Sequence, residues 1–175
     1  MSTVQTSIEN RIAIIRINRP KQLNALSLQV LADLKNAFQT VEWNDEVGAI
    51  ILTGKGDKAF IAGADIKEMS TLSSEEAIKY AMNGQQLTTY IENFPKPVIA
   101  AINGFALGGG CEFAMACHIR YASKTARFGQ PEVGLGLIAG FGGTQRLPRL
   151  VGKGRALEIL LSGGMLSASD AKEMG

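Results

Sequence analysis

Apolar and polar positions alternate between strand-like and helix-like spacing along the whole chain. The opening pattern predicts strands over residues 3–8 and 11–18, with a turn at Glu9-Asn10. Ser27 then suits the N-cap of a helix running to about Trp43. That helix has one apolar stripe at helical spacing, formed by Leu28, Leu31, Leu34, Ala37, Phe38 and Val41.

The rest of the chain repeats the order of strand, strand and helix. Further strands are predicted over residues 47–53, 59–61, 98–102 and 119–122. Further helices are predicted from Ser73 to about Asn93, and over residues 108–116, 140–151 and 155–161, with a last one capped by Ser167. Because helices separate successive strands, we expect an α/β fold with a largely parallel sheet.

Composition narrows the class of protein. The chain has 175 residues, 46% of them hydrophobic, which is enough for a single domain over residues 1–175 with one substantial core. A net charge of +2 gives no electrostatic reason to expect nucleic-acid or membrane-surface partners. Residues 1–10 lack the pattern of a secretory signal, and no apolar run reaches membrane-spanning length. We therefore expect a cytoplasmic protein.

The two cysteines, Cys111 and Cys117, lie in one apolar stretch and lack CxxC spacing or clustered histidines. Buried, reduced thiols are therefore expected, and no metal site. Gly54-Lys55-Gly56 lacks the spacing of a phosphate-binding loop, so we interpret it as a turn.

The candidate chemistry begins where three glycines, residues 108–110, precede a small-residue apolar helix. Glycines at that point leave the first backbone N–H groups of the helix accessible, and the helix dipole favours a developing anion there. Glu112 lies in the first turn of this apolar helix, where an unpaired carboxylate is costly. The simpler interpretation is a tight loop followed by an ordinary acidic residue.

Two other glycine-rich segments complement this one. Glu132 is a second carboxylate in uncharged surroundings, and two such groups can have pKa values pushed apart to give one acid and one base. The backbone N–H groups of Ala64 and Gly109 would together form an oxyanion hole. This set suggests proton movement around a conjugated carbonyl compound, although each glutamate alone is equally typical of a helix cap or an arginine partner.

Five segments, in order along the chain, resemble the crotonase (enoyl-CoA hydratase/isomerase) superfamily. They are Asn18-Arg19-Pro20 with Asn24-Ala25-Leu26, Ala62-Gly63-Ala64-Asp65-Ile66, Ala101-Ile102-Asn103-Gly104-Phe105-Ala106-Leu107-Gly108-Gly109-Gly110-Cys111-Glu112, Phe128-Gly129-Gln130-Pro131-Glu132, and Gly142-Gly143-Thr144-Gln145-Arg146-Leu147. The motifs are most similar to those of the short-chain enoyl-CoA hydratases. The resemblance is collinear and covers essentially the whole chain.

The resemblance implies a spiral of repeated ββα units that assembles as a homotrimer or a dimer of trimers. It implies an acyl-CoA thioester as substrate and no separate cofactor, because coenzyme A is part of that substrate. The oxyanion-hole donors of the family correspond to Ala64 and Gly109. By the same correspondence, Glu112 deprotonates the attacking water, Glu132 holds that water and protonates the α-carbon, and the backbone of Gly140 lies beside the water. The residues expected to bind CoA are Leu23, Asn24, Ala25, Ala62, Gly63, Asp65, Ile66 and Lys67.

Two residues, His118 and Ala139, depart from the family pattern. His118 occupies a position where the family commonly has aspartate, and we interpret it as a surface or strand-edge residue. Ala139 stands where many hydratases have proline. Arg146 and Arg149 are expected to make ion pairs or helix-end contacts. The family also has further helices beyond the position of Gly175, so the last helical region of the family is expected to be missing from this chain.

The function implied is hydration of a trans-2-enoyl-CoA to a 3-hydroxyacyl-CoA, as in fatty-acid β-oxidation. An enoyl-CoA isomerase is the alternative within the family, but isomerases typically use one glutamate. A non-catalytic CoA-binding fragment is the alternative of another class.

Overall fold

The computed structural model describes residues 2–175 as a mixed α/β structure. The strands are β1 (Val4–Glu9), β2 (Ile12–Ile17), β3 (Ala49–Gly54), β4 (Ala59–Ile61), β5 (Val98–Ile102), β6 (Phe105–Leu107), β7 (Ile119–Ala122), β8 (Arg127–Gly129) and β9 (Met165–Ser167). The α-helices are α1 (Leu28–Glu42), α2 (Ile66–Met69), α3 (Ser74–Glu92), α4 (Gly109–Ala116), α5 (Gly143–Val151), α6 (Lys153–Ser162) and α7 (Ala168–Met174). Two short 3-10 helices span Pro20–Gln22 and Pro131–Leu135.

Successive ββα units distribute their strands between two sheets. One sheet has the order β1-β2-β3-β5-β7 and the other has the order β4-β6-β8-β9. The pairs within β2-β3-β5-β7 and within β4-β6-β8 are parallel, whereas β1 and β9 pair antiparallel at the edges. Each turn of the spiral therefore adds one strand to each sheet, which confirms the predicted repeat and the largely parallel pairing.

The first hairpin turns one residue later than predicted. The turn residues are Asn10 and Arg11, with φ values of 50° and 65°. Two consecutive residues with positive φ match the twist of a two-residue hairpin, and asparagine tolerates that conformation well. This turn pairs Glu9 with Ile12 and determines the register of β1 against β2.

The predicted first helix is confirmed, including its cap. The Ser27 hydroxyl accepts from the N–H of Val30 at 3.2 Å, and the helix ends at Glu42. The main core lies between α1, α3 and the first sheet, and its members include Leu34, Phe38, Ile15, Leu52 and Ile91. The alternating burial along β2 and β3 places every second side chain in this core.

The next long helix, α3, begins at the predicted capping box. Ser73 and Glu76 satisfy each other's backbone N–H groups there. The helix predicted over residues 140–151 instead begins at Gly143, because backbone groups of residues 140–141 bond to side chains rather than to a helical turn. The elements not predicted are short, namely β6, β8, β9, α2 and both 3-10 helices.

We expect truncation of a core side chain in α1 to be costly. Leu34 is fully buried, and Leu34→Ala removes three carbon atoms from a packed core, so the free energy of unfolding should fall by about 2–5 kcal/mol. Leu161→Ala in α6 is the matched control, because Leu161 is 69% exposed and should change stability by less than about 0.5 kcal/mol. Urea denaturation measures both; equal losses would contradict this packing.

Candidate active site

The parallel pairing of β4, β6 and β8 brings three loops to one edge of the second sheet. Ala64 follows β4, Gly109 follows β6 and Glu132 follows β8, each within three residues of the strand end. The carboxyl ends of neighbouring parallel strands lie at the same edge, which is where open α/β sheets bind ligands. Three predicted site residues therefore meet because of sheet topology.

Glu112 lies in the first turn of α4, a helix in which every residue is buried. Glu112 is only 1% exposed, and its Oε1 accepts from the N–H of Phe141 at 2.8 Å and from the N–H of Gly143 at 2.6 Å. Within residues 2–175 no group donates to Oε2, and Glu112 lines a cavity. One carboxylate oxygen is thus anchored, and the other remains available to a ligand.

Burial governs the protonation of both carboxylates. The pKa of Glu112 is raised from 4.5 to about 7, because desolvation and, to a smaller extent, the nearby charge of Glu132 outweigh the N–H groups of Gly143 and Phe141 and the charge of Arg146, which lower it. Desolvation also raises the pKa of Glu132 above its usual value. Gln130 contributes to this environment: with its carboxamide nitrogen facing Glu132, that nitrogen lies 2.9 and 3.1 Å from the two carboxylate oxygens. Glu112 is therefore able to exchange protons near neutral pH, and Glu132 keeps its proton to a higher pH than an exposed glutamate does.

The two predicted oxyanion-hole donors face the same cavity. Across residues 2–175, the N–H groups of Ala64 and Gly109 have no acceptor within the protein. Gly108, the N-cap of α4, has φ 51° and ψ −122°, a conformation that residues with a Cβ rarely adopt. A Cβ at Gly108 would also lie 2.9 Å from Oε1 of Glu132. Glycine at this position therefore allows the helix N-terminus and the second carboxylate to approach each other.

The shared cavity has a volume of about 850 Å³ and opens to solvent. Five predicted residues line it, namely Ala64, Gly109, Glu112, Glu132 and Gly140. Sequence reasoning missed the wall that the end of α2, the connection to α3, α3 itself and the loop before α5 contribute. The apolar side chains of that wall belong to Met69, Leu72, Ala77, Tyr80, Ala81, Leu137, Ile138, Ala139 and Phe141. The amphipathic spacing of α3 indicates a helix with one buried face, but does not indicate which face borders a ligand.

The residues predicted to bind CoA lie beside this cavity but do not line it. They are Leu23, Asn24, Ala25, Ala62, Gly63, Asp65, Ile66 and Lys67. Their two loops are paired through backbone bonds, among them Ala62 N–H to Leu23 O at 3.1 Å and Leu26 N–H to Gly63 O at 2.9 Å. This pairing continues directly to Ala64, so the loops adjoin the cavity.

Two side chains of these loops have structural partners. Asn24 is fully buried, donates to the carbonyl groups of Lys55 and Ala59, and accepts from the N–H of Arg19. Asp65 caps α2 and pairs with Arg19 at 2.9 Å. The side chains of Asn24 and Asp65 therefore hold the loops in place, whereas Lys67 is exposed.

Three further basic residues have the structural roles expected of them. Arg146 pairs with Glu92 at 2.8 Å, and Arg149 donates to the carbonyl of Gln145. His118 is exposed; its Nδ1 accepts from the N–H of Val98 at 2.8 Å, which leaves Nε2 to donate to the carbonyl of Glu92 at 3.2 Å. His118 thus joins the end of α3 to the start of β5.

The thiols of Cys111 and Cys117 are free and buried as predicted, and burial raises the pKa of each to about 12. In the part of the chain that the structure describes, no three His, Cys, Asp or Glu side chains are grouped so that they could hold a metal ion. No helix in the same residues has the length and hydropathy needed to cross a membrane.

Known proteins resemble this chain along almost all of its length. The sequence profile of the enoyl-CoA hydratase/isomerase family matches residues 7–175. A crotonyl-CoA hydratase from Syntrophomonas wolfei is 52% identical over 167 residues, which cover 95% of this chain and 64% of that protein. A short-chain-enoyl-CoA hydratase from Clostridium acetobutylicum is 51% identical with the same coverage of both chains. The chain therefore spans 64% of the length of these two relatives.

A solved structure shows the same arrangement of elements. The crystal structure of an enoyl-CoA hydratase from Bacillus anthracis superimposes with a TM-score of 0.96 and 42% sequence identity. The match covers 99% of this chain and 67% of the other.

The raised pKa of Glu112 predicts a specific pH dependence of stability. Between pH 4.5 and about 7 the folded state binds the Glu112 proton more tightly than the unfolded state, so the free energy of unfolding falls as pH rises through this window. The loss should amount to about 3 kcal/mol at 1.36 kcal/mol per pKa unit. Glu112→Gln removes this component and leaves the other titrating groups in place. Urea denaturation of both proteins from pH 4 to 8 measures the difference, and parallel stability curves would contradict the assignment.

Proposed function

Because this chain belongs to the enoyl-CoA hydratase/isomerase family of the crotonase superfamily, we propose that it adds water across the double bond of a trans-2-enoyl-CoA to give a 3-hydroxyacyl-CoA. The observation that carries the proposal is the convergence of two carboxylates and two unpaired backbone donors on one cavity. The proposed reaction needs no separate cofactor, since coenzyme A enters as part of the substrate.

Two backbone N–H groups activate the substrate. The thioester oxygen accepts hydrogen bonds from the N–H groups of Ala64 and Gly109, beside the positive end of the α4 dipole. Donors already oriented toward this oxygen stabilise the enolate more than the neutral thioester, which lowers the barrier to addition. The apolar wall contributed by Leu72 and Ile138 suits the hydrocarbon part of an acyl chain.

The two glutamates move the protons. Water bound between them loses a proton to the open oxygen of Glu112 as its oxygen bonds to the β-carbon, and the π electrons of the double bond move toward the thioester oxygen. Glu132, which holds the water, delivers a proton to the α-carbon, and the enolate returns to a thioester. The raised pKa values of both carboxyls suit this exchange, because one group must be ionised while the other is protonated.

Retention of both carboxylates favours hydration over double-bond migration. Migration needs one group that removes and returns a proton, whereas addition of water needs groups at both the β-carbon and the α-carbon. Glu112 and Glu132 both line the cavity, so the site provides for addition.

Three further features belong to this proposal. The paired loops at residues 23–25 and 62–67 adjoin Ala64, which suits them to carry the CoA part of the substrate, largely through the backbone. Assembly as a homotrimer or a dimer of trimers would cover large exposed apolar side chains such as Tyr121 and Met165. A cytoplasmic location agrees with two reduced thiols.

The decisive experiment incubates the 175-residue protein with crotonyl-CoA and measures the conversion of this substrate. Loss of the enoyl-thioester absorbance should accompany formation of a product heavier by one water, identified by mass spectrometry. Glu112→Gln and Glu132→Gln should each lower kcat by about 10²–10⁴-fold, because each removes a proton-transfer group while keeping the side-chain volume.

Glu75→Gln is the control, since Glu75 lies in an exposed ion pair with Lys79 on α3. Absence of turnover in folded wild-type protein would contradict the proposed reaction. Turnover unchanged in both glutamine variants would contradict the residue assignment. An isomerised product without added water would identify the isomerase instead.

A further inference from the structure

The segment 141–143, which donates two hydrogen bonds to Glu112, also accepts hydrogen bonds through the carbonyl of Phe141. The carbonyl of Phe141 lies in the chain between the two N–H groups, of Phe141 and Gly143, that donate to Glu112. That carbonyl accepts from Nη1 of Arg146 at 2.9 Å and from the hydroxyl of Thr88 at 2.9 Å. Its orientation therefore affects both donors, because neighbouring peptide planes share the φ and ψ angles between them.

Arg146 is well placed to hold this carbonyl. The Arg146 residue is 9% exposed, and its Nε and Nη2 donate to Oε2 of Glu92 at 3.1 and 2.8 Å. Glu92 thus aligns the guanidinium group through Nε and Nη2. Nη1 is left to donate to the carbonyl of Phe141 and to the hydroxyl of Thr88 at 3.2 Å. The guanidinium packs closely on the backbone of Gly142, where a Cβ would lie 2.3 Å from Nη1.

Thr88 completes the arrangement from α3. It is fully buried, and its hydroxyl reaches the carbonyl of Phe141 at 2.9 Å and the carbonyl of Gln85 at 3.0 Å. Thr88 is not among the described residues that line the cavity, so its side chain cannot contact a bound substrate. Any effect of Thr88 on catalysis must pass through the loop.

We propose that Arg146, aligned by Glu92 and assisted by Thr88, is a positioning residue that orients the two N–H donors of Glu112 by holding the carbonyl of Phe141. The kinetic consequence rests on the proposed hydration, whereas the structural consequence does not. If the network only docked α5 on α3, loss of the uncharged Thr88 hydroxyl would lower stability without altering the titration of Glu112.

The direction of the titration effect follows from the groups around Glu112. Glu132 disfavours its ionised form, Arg146 and the two N–H donors favour it, and Tyr80 and Cys111 face it as neutral groups whose own pKa values are raised. Loss of Arg146 removes a positive charge, and loss of either Arg146 or the Thr88 hydroxyl loosens the donors. Each change should move the pKa of Glu112 upward.

The test compares wild-type protein with four variants in one set of measurements. Arg146→Gln removes the positive charge and the paired guanidinium donors. Thr88→Val removes only the hydroxyl at similar volume, and Thr88→Ser retains the hydroxyl. Glu75→Gln on the exposed part of α3 is the control. The pKa of Glu112 is measured by NMR titration of its side-chain carboxyl carbon, and kcat and KM are measured with crotonyl-CoA.

We expect Arg146→Gln and Thr88→Val to raise the pKa of Glu112 and to lower kcat by about 10- to 100-fold, the size of effect that a misplaced catalytic group produces. Thr88→Val should leave KM within about twofold, since Thr88 does not line the cavity. Thr88→Ser and the control should behave as wild type does.

Three results would overturn the proposal. They are an unshifted Glu112 titration in folded Thr88→Val and Arg146→Gln, a Thr88→Ser variant as altered as Thr88→Val, and a kcat that stays at the wild-type value while the titration shifts. If Arg146→Gln does not fold, Thr88→Val and Thr88→Ser decide between the two roles. If the wild-type protein does not hydrate crotonyl-CoA, the proposed function fails, yet the titration still tests whether the network positions Glu112.

Discussion

The site depends on the burial of one carboxylate at the start of an apolar helix. A charge in such a place is costly unless hydrogen bonds compensate it, and the N–H groups of Phe141 and Gly143 supply them to Oε1 of Glu112. This pair of bonds leaves the other carboxylate oxygen free and joins α4 to the loop before α5. Desolvation and hydrogen bonding oppose each other here, and their balance keeps the pKa of Glu112 near neutrality.

The spiral of ββα units explains how residues 68 positions apart in sequence, Ala64 and Glu132, come to one edge. Each unit adds a parallel strand to the second sheet, and each strand of β4, β6 and β8 ends in a loop that carries one site residue. The first sheet and the helices α1 and α3 form the main core that supports this edge. The sheet topology thus brings the site residues together, and the packing of the core holds them in place.

Much of the fold was predictable from local signals. Ser27, Ser73 and Ser167 each begin a helix as their capping patterns indicated, and the apolar runs of β3 and β5 are buried strands. The errors lie where tertiary contacts replace local ones. The three-residue strands β6, β8 and β9 are stabilised only by pairing with neighbouring strands. Residues 140–141 leave the predicted helix because Gln85, Thr88 and Glu112 bond to their backbone.

The sequence by itself determined the family and the alternation of strands and helices, and it predicted Ala64, Gly109, Glu112 and Glu132 as candidate site residues. Their motifs are short runs of consecutive residues, so they can be recognised from the sequence alone. Only the tertiary structure decided that Oε1 of Glu112 is anchored while Oε2 is open, that the side chains of Asn24 and Asp65 hold loops, and that Arg146 reaches the carbonyl of Phe141. These outcomes depend on distances between segments far apart in the chain, which no local pattern encodes.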